Sequence, residues 1–183
     1  MVTDDLFQFG LCLRHRSTGW PSGGSDGGRA CAPTLRQLRR HEGPITAGLV
    51  RICENSVMVA VEAGELGPRC PPNARVNGRP SAAVWRLLDL LGAGGAEFAY
   101  HGDFEWGGIG IANAVRARVG WVPWRYDSAS CQAVAASAPL PGRVEETPWA
   151  WQLSAAMVRQ GVGAEEELVI ADLLGDLAAG RRP

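Results

Sequence analysis

Short apolar runs alternate with amphipathic stretches through the middle of the chain. Residues at 81–91 carry Val84, Leu87, Leu88 and Leu91 at helical spacing, which predicts a helix that buries one face. Further helices are predicted at 56–65, 109–119 and 128–136, and strands at 49–53, 74–76, 96–100 and 121–126. A repeated strand–helix alternation favours an α/β fold, in which a parallel sheet of about four strands is flanked by helices.

The two ends of the chain break this alternation. Residues 1–33 predict a tail and linker, since a weakly alternating strand at 6–13 precedes a Gly-, Ser- and Pro-rich stretch at 17–32. Thr34 is expected to cap a short basic helix that ends at Arg40. The main domain is therefore predicted at 34–183, closed by a helical C-terminal extension, and the tail is expected to be the remnant of a missing upstream domain.

Three carboxylates follow predicted strands directly. Glu54 comes after the run at 49–53, and Asp103 and Glu105 come after the run at 96–100. The carboxyl ends of parallel strands share one edge of a sheet, so these acids are expected to converge there. Three oxygen donors suit a hard divalent cation such as Mg²⁺ or Mn²⁺. Such a site indicates metal-assisted chemistry on a phosphate.

Other residues near this edge are candidates for binding phosphate or DNA. Glycines at 102, 107 and 108 allow the loop to bend and a phosphate to approach closely. The helix that begins near Gly108 offers amide donors to an anion. His101 orients a phosphate, acts as a proton shuttle or forms a hydrogen bond with a neighbouring loop. Arg79 either contacts phosphate or is solvated. The acidic run at 165–167 predicts a charged first turn of a helix, with a metal-ligand role for Glu166 as the alternative. The candidate phosphate and DNA contacts are Gly78, Arg79, Ser81, His101 and Gly108.

Composition narrows the class of protein. The 183 residues are 46% hydrophobic and 20% charged, with a net charge of −1, so the surface as a whole does not predict nucleic-acid binding. The five cysteines are scattered and include no CxxC pair, which argues against a zinc site or a disulfide framework. No signal peptide or membrane span is evident, so we expect a cytoplasmic protein without membrane contact.

The acidic pattern resembles the Toprim family, in which a Glu follows one strand and a D-x-D motif follows another two strands later. The flanks look like the C-terminal Toprim domain of JetD-like subunits, the nucleases encoded beside SMC-type ATPases in Wadjet anti-plasmid systems. The resemblance covers about residues 34–180, and the segments that carry it are Ile52-Cys53-Glu54-Asn55, Asn77-Gly78-Arg79-Pro80-Ser81-Ala82-Ala83 and Tyr100-His101-Gly102-Asp103-Phe104-Glu105-Trp106. One departure is Glu105, where the family pattern has Asp.

The resemblance implies a topoisomerase-VI-like Toprim fold, Mg²⁺-dependent DNA cleavage, SMC-type partners and a homodimer. Its catalytic and metal-binding residues would be Glu54, Asp103 and Glu105. The alternative is a truncated, non-catalytic Toprim-like module that docks on a partner protein or DNA. Two other interpretations fit less well. A dinucleotide-binding motif at 108–113 would lack its third glycine, which makes that match weak. A phosphatase with an aspartate nucleophile needs a lysine, and the chain contains none, which argues against that class.

Overall fold

A five-stranded sheet forms the centre of the fold. The computed structural model describes residues 11–12, 33–55, 61, 64–66, 70–134 and 138–183. In sheet order, β1, β3, β2, β4 and β5 are hydrogen-bonded neighbours, and a separate pair joins β6 to β7. The strands are β1 (Leu11–Cys12), β2 (Leu49–Cys53), β3 (Asn73–Arg75), β4 (Glu97–Tyr100), β5 (Val122–Pro123), β6 (Ala138–Pro139) and β7 (Val162–Gly163).

Four of the five central strands are parallel, as predicted. β2 pairs in parallel with both β3 and β4, and β5 pairs in parallel with β4. β1 adds an antiparallel edge to β3, so this part of the predicted lone strand joins the sheet. The rest of the predicted strand at 6–13, the linker at 17–32 and most of the predicted helix at 56–65 lie outside the described residues.

Helices follow the strands as the sequence predicts. Their bounds are α1 (Leu35–Arg40), α2 (Ala82–Ala93), α3 (Trp106–Val119), α4 (Ser128–Ala133), α5 (Leu153–Gln160) and α6 (Ile170–Ala178), with a 3₁₀ helix at Glu166–Val169 before α6. Thr34 caps α1 in a capping box with Gln37. The α/β fold with a helical C-terminal extension is thereby confirmed.

α3 begins three residues earlier than the predicted start at 109, at Trp106. Glycines at 107 and 108 disfavour a helix by intrinsic propensity. Burial overrides that preference here, because Trp106, Gly108 and Ile109 all pack into the interior. The earlier start places the first turn of the helix directly beside the loop that follows β4.

The sheet carries apolar side chains on both faces, as expected of parallel strands. One core cluster joins Val50 and Ile52 of β2 to α2 and α3. A second cluster joins Cys53 and Ala99 to Leu173 and Leu177 of α6. The C-terminal helix therefore covers the sheet face opposite to α2 and α3. No helix in the described part of the chain is long and apolar enough to cross a membrane.

A partly buried ion pair fixes α6 beside the end of β5. Asp176 accepts hydrogen bonds from the Arg125 guanidinium at 2.5 and 2.9 Å and from the Trp124 indole at 3.3 Å. Arg181 is a second cationic partner of Asp176, at 3.4 Å. A paired and hydrogen-bonded carboxylate of this kind fixes the orientation of the helix that carries it.

Candidate functional site

Glu54 and Asp103 meet at the carboxyl edge of the parallel strands. Glu54 directly follows β2, and Asp103 lies in the loop after β4, the neighbouring strand. The Asp103 amide donates to Glu54 Oε2 across 3.4 Å. Glu54 is only 8% exposed, whereas Asp103 is half-buried. The structure thus brings together the first two of the three acids that the sequence places at one edge.

Glu105 takes a different position. It is the exposed N-cap residue of α3 and makes no side-chain capping hydrogen bond. Its Oε1 lies 3.0 Å from the point that a Cβ on Gly107 would occupy, so the carboxylate turns toward the first turn of its own helix. In the described part of the chain, no three His, Cys, Asp or Glu side chains are placed to coordinate one metal ion directly. The predicted convergence of Glu54, Asp103 and Glu105 as one group of metal ligands is therefore not found there.

Glu166, for which the sequence offers a metal-ligand role only as the alternative, lies beside Glu54 and Asp103. The interpretation as a charged first turn suits the exposed Glu165, whereas Glu166, the first residue of the 3₁₀ helix, is 0% exposed. The Glu166 amide donates to Asp103 Oδ1 at 2.7 Å, and its Oε2 accepts from the Asn55 amide at 2.6 Å. Its Oε1 has no hydrogen-bond partner among the described residues. No local pattern marks this residue, since 63 positions separate it from Asp103.

The three carboxylates influence one another electrostatically. Burial raises the pKa of Glu166 well above its ordinary value, and the charges of Asp103 and Glu54 raise it further, against hydrogen bonds from the backbone at 55 and 54. Burial first, and then the same three acids, also raise the pKa of the Tyr126 hydroxyl. That hydroxyl donates to the Asp103 carbonyl at 2.8 Å. Like charges in a buried setting favour a cation among them.

Glycine is required where α3 approaches the acids. A Cβ on Gly108 would lie 2.6 Å from the Asp103 carbonyl oxygen and 3.1 Å from Glu54 Oε2. A Cβ on Gly102 would lie 3.0 Å from Glu54 Oε2. Both glycines were expected to admit a phosphate. In the structure they admit the acidic residues themselves, since each lies against the Glu54 carboxylate.

His101 is part of the core. Its side chain is fully buried, and Nδ1 lies 2.9 Å from the Trp124 carbonyl oxygen. Phe104, Trp124 and Tyr126 surround the ring at centroid distances of 5.8, 6.3 and 5.5 Å. Burial lowers the pKa of His101 to about 4, so the ring is neutral at physiological pH. Of these interpretations, the structure favours the bond to a neighbouring loop, because Nδ1 already pairs with the Trp124 carbonyl and aromatic rings surround the imidazole.

The loop after β3 lies beside Glu54. The Asn77 amide donates to the Glu54 carbonyl at 3.0 Å, and Asn77 and Gly78 both have positive φ, at 54° and 71°. Two such residues in succession turn the chain sharply. Arg79 is exposed on this turn, and Ser81 caps α2 by accepting the Val84 amide at 3.4 Å. Arg79 is therefore available to an anion at the acidic edge, whereas the Ser81 hydroxyl already has a structural role.

A cleft of about 590 Å³ lies at the other end of the strands. Its lining includes Leu49, Glu97 and Val122, the first residues of β2, β4 and β5. None of the candidate site residues lines it, so the acidic edge and this cleft are separate features.

Fold and site together define an α/β domain whose acidic side chains meet where two adjacent parallel strands end. Comparison with protein families then identifies it: the chain belongs to the family described as "Protein of unknown function C-terminus (DUF2399)", whose model matches residues 31–177. A search of curated proteins found no match. The family description states no activity, so the Toprim and JetD-like resemblance stays a prediction.

Proposed function

We propose that this domain cleaves DNA with the help of a divalent cation, Mg²⁺ or Mn²⁺, as a Toprim-type endonuclease subunit. One observation carries the proposal: Glu54 and Asp103, from the loops after two adjacent parallel strands, are in hydrogen-bond contact at the carboxyl edge of the sheet. Ligands of open parallel sheets bind at this edge. Glu54 is buried there and Asp103 is half-buried, and like charges brought together in such a setting favour a bound cation.

The residues present fit a Mg²⁺ site of the open kind. Mg²⁺ usually keeps several waters and takes one or two protein carboxylates, with substrate phosphates completing its shell. Two adjoining carboxylates meet that requirement without a third preplaced ligand. The cation, when bound, would supply activation of a water and neutralisation of charge on the phosphate.

Other groups of the chain would position the DNA backbone. The N-terminus of α3 faces the acids and is not capped by the side chain of Glu105, so its first amides suit a phosphate oxygen. Arg79, exposed on the neighbouring loop, suits a second phosphate. The net charge of −1 means that DNA affinity must come from such local contacts and from the cation.

The finer assignment comes from the sequence resemblance. Glu54 and the Asp103-x-Glu105 pair resemble the Toprim acids, and their flanks resemble JetD-like subunits. On that basis we infer that the protein acts in the cytoplasm, in a plasmid-defence complex with SMC-type ATPase subunits and as a homodimer. An SMC-type ATPase gene beside this one would support that assembly.

A second candidate is a non-catalytic module that docks on a partner protein or on DNA. The exposed Glu105, which turns toward Gly107, favours this alternative, as does the lack of a three-ligand group among the described residues. In this case the acids would bind without cleaving.

A plasmid-nicking assay separates the two candidates. The intact assembly should relax supercoiled plasmid in Mg²⁺ or Mn²⁺, and Asp103→Asn should reduce the rate at least 100-fold. Glu42→Gln, a change at an exposed carboxylate just after α1, is the matched control and should cleave like wild type. An assembly that does not cleave, with Asp103→Asn indistinguishable from wild type, would leave the binding role.

A further inference from the structure

The segment that directly follows β7 is hydrogen-bonded to the loop that carries Asp103. The Phe104 amide donates to the Ala164 carbonyl at 2.8 Å, and the Ala164 amide donates to the Phe104 carbonyl at 3.4 Å. Two residues further on, the Glu166 amide holds Asp103 Oδ1 at 2.7 Å. A segment outside the central sheet therefore sets the orientation of the Asp103 carboxylate.

The side chain of the same residue reaches the other acidic loop. Glu166 Oε2 accepts a hydrogen bond at 2.6 Å from the amide of Asn55, the residue that follows Glu54 in sequence. Glu166 thus contacts both loops that carry the acids, through its amide on one side and its carboxylate on the other. This is a placement between Glu54 and Asp103, and Glu105 has no comparable contact among the described residues.

One oxygen of this carboxylate has no use in the fold. Oε1 is inaccessible to solvent and has no hydrogen-bond partner among the described residues. Buried polar atoms are nearly always paired, and an unpaired one lowers stability. An unpaired acceptor beside two further carboxylates is explained by a positively charged ligand that it would share with them.

We propose that Glu166, in place of Glu105, is the third acidic member of the cation site, where its Oε1 engages the hydrated ion held by Glu54 and Asp103. This role rests on the proposed function, because it presumes a divalent cation at that edge. A hydrated Mg²⁺ or Mn²⁺ offers both metal coordination and water donors, so a carboxylate oxygen takes part without a tight three-ligand cage.

The variant Glu166→Gln distinguishes a cation-binding role for Glu166 from a merely structural one. Glu166→Gln keeps the backbone amide that holds Asp103 and keeps an oxygen to accept the Asn55 amide. It removes the negative charge and replaces the unpaired Oε1 with an NH₂ group, which donates hydrogen bonds and cannot coordinate a cation. A residue that served only to position the loops would tolerate this change, whereas a residue that engages the cation would not.

The experiment measures Mn²⁺ binding to the full chain by electron paramagnetic resonance of the free ion, with circular dichroism to verify folding. We expect Glu166→Gln to weaken Mn²⁺ binding at least tenfold and more than Glu105→Gln does, whereas Glu165→Gln, a change at the exposed neighbouring carboxylate, should alter binding less than twofold. Should the Gln variant fold poorly, Glu166→Asp, which withdraws the carboxylate, must still weaken binding more than Glu105→Asp.

The outcomes distinguish this role from the proposed function. Wild-type affinity in Glu166→Gln, with a loss in Glu105→Gln, would overturn the role of Glu166 and leave the cation site standing. Absence of Mn²⁺ binding to wild type, with or without a short DNA duplex, would remove the site and this role together.

Discussion

Replacement of Gly108 by alanine tests whether the acidic edge is as tightly packed as the structure shows. The new Cβ would lie 2.6 Å from the Asp103 carbonyl oxygen, 3.1 Å from Glu54 Oε2 and 3.2 Å from Asp103 Cβ. The nearest atom belongs to the backbone, so no side-chain rotation relieves the contact. Either the loop after β4 or the first turn of α3 must shift.

A matched control exists in the same helix. Gly110 also lies in α3, and a Cβ there would meet no atom within 4 Å. Alanine improves helix propensity by about 1 kcal/mol at either position. Because both variants share this gain, the difference between them isolates the steric term, which is typically about 1–3 kcal/mol in a packed interior.

Thermal and urea unfolding of the two variants measures that difference. For a chain of 183 residues, about 1 kcal/mol corresponds to a shift in Tm of roughly 2–4 °C. Gly108→Ala should therefore melt about 2–12 °C below Gly110→Ala, and its Mn²⁺ response should weaken because Asp103 moves away from Glu54. Equal melting temperatures in the two variants would refute the close approach of α3 to the acids.

Two further variants test other parts of the structure. Asp176→Asn should lower the free energy of unfolding by about 2 kcal/mol at pH 7, because the bonds from Arg125 lose their charge assistance. Those same bonds hold the pKa of Asp176 below its ordinary 3.8, so the stabilisation is present above pH 3.8 and is lost as pH falls through the lower, folded pKa. In urea unfolding from pH 7 to pH 3, the difference in unfolding free energy between wild type and Asp176→Asn should therefore shrink. A difference that did not change with pH would argue against the ion pair. Arg79→Ala should reduce affinity for a DNA duplex severalfold without changing Tm. The control is Arg116→Ala, a change at an exposed residue near the far end of α3, which should leave DNA binding unchanged. Equal losses of affinity in the two variants would indicate nonspecific attraction.

The sequence predicts the sheet well because its signals are local. Short apolar runs mark β2 and β4, and helical spacing marks α2, so their order alone implies parallel pairing. The meeting of Glu54 with Asp103 follows from that pairing and needs no side-chain information. A rule about strand ends is sufficient to place two acids at one edge.

The rest of the site depends on contacts that no local pattern encodes. Glu166 reaches Asp103 from 63 positions away, by way of a segment that pairs with Phe104. The direction of Glu105 was equally hidden, since a residue in a D-x-E motif and an N-cap of a helix look alike in sequence. His101 ends a strand, but only the folded chain shows three aromatic rings around it.

The energetics of the acidic edge bear on the choice between a working site and a docking module. Burial of Glu166, with one unpaired oxygen beside two other acids, destabilises the fold in the absence of a ligand. Features that lower stability and persist are characteristic of functional sites, where a ligand restores the balance. A module that only docked through its surface would gain stability from Glu166→Gln and lose nothing, whereas a cation site would gain apo stability and lose its response to Mn²⁺. The sign of the stability change is therefore the same in both cases, and only the metal response of that variant distinguishes them.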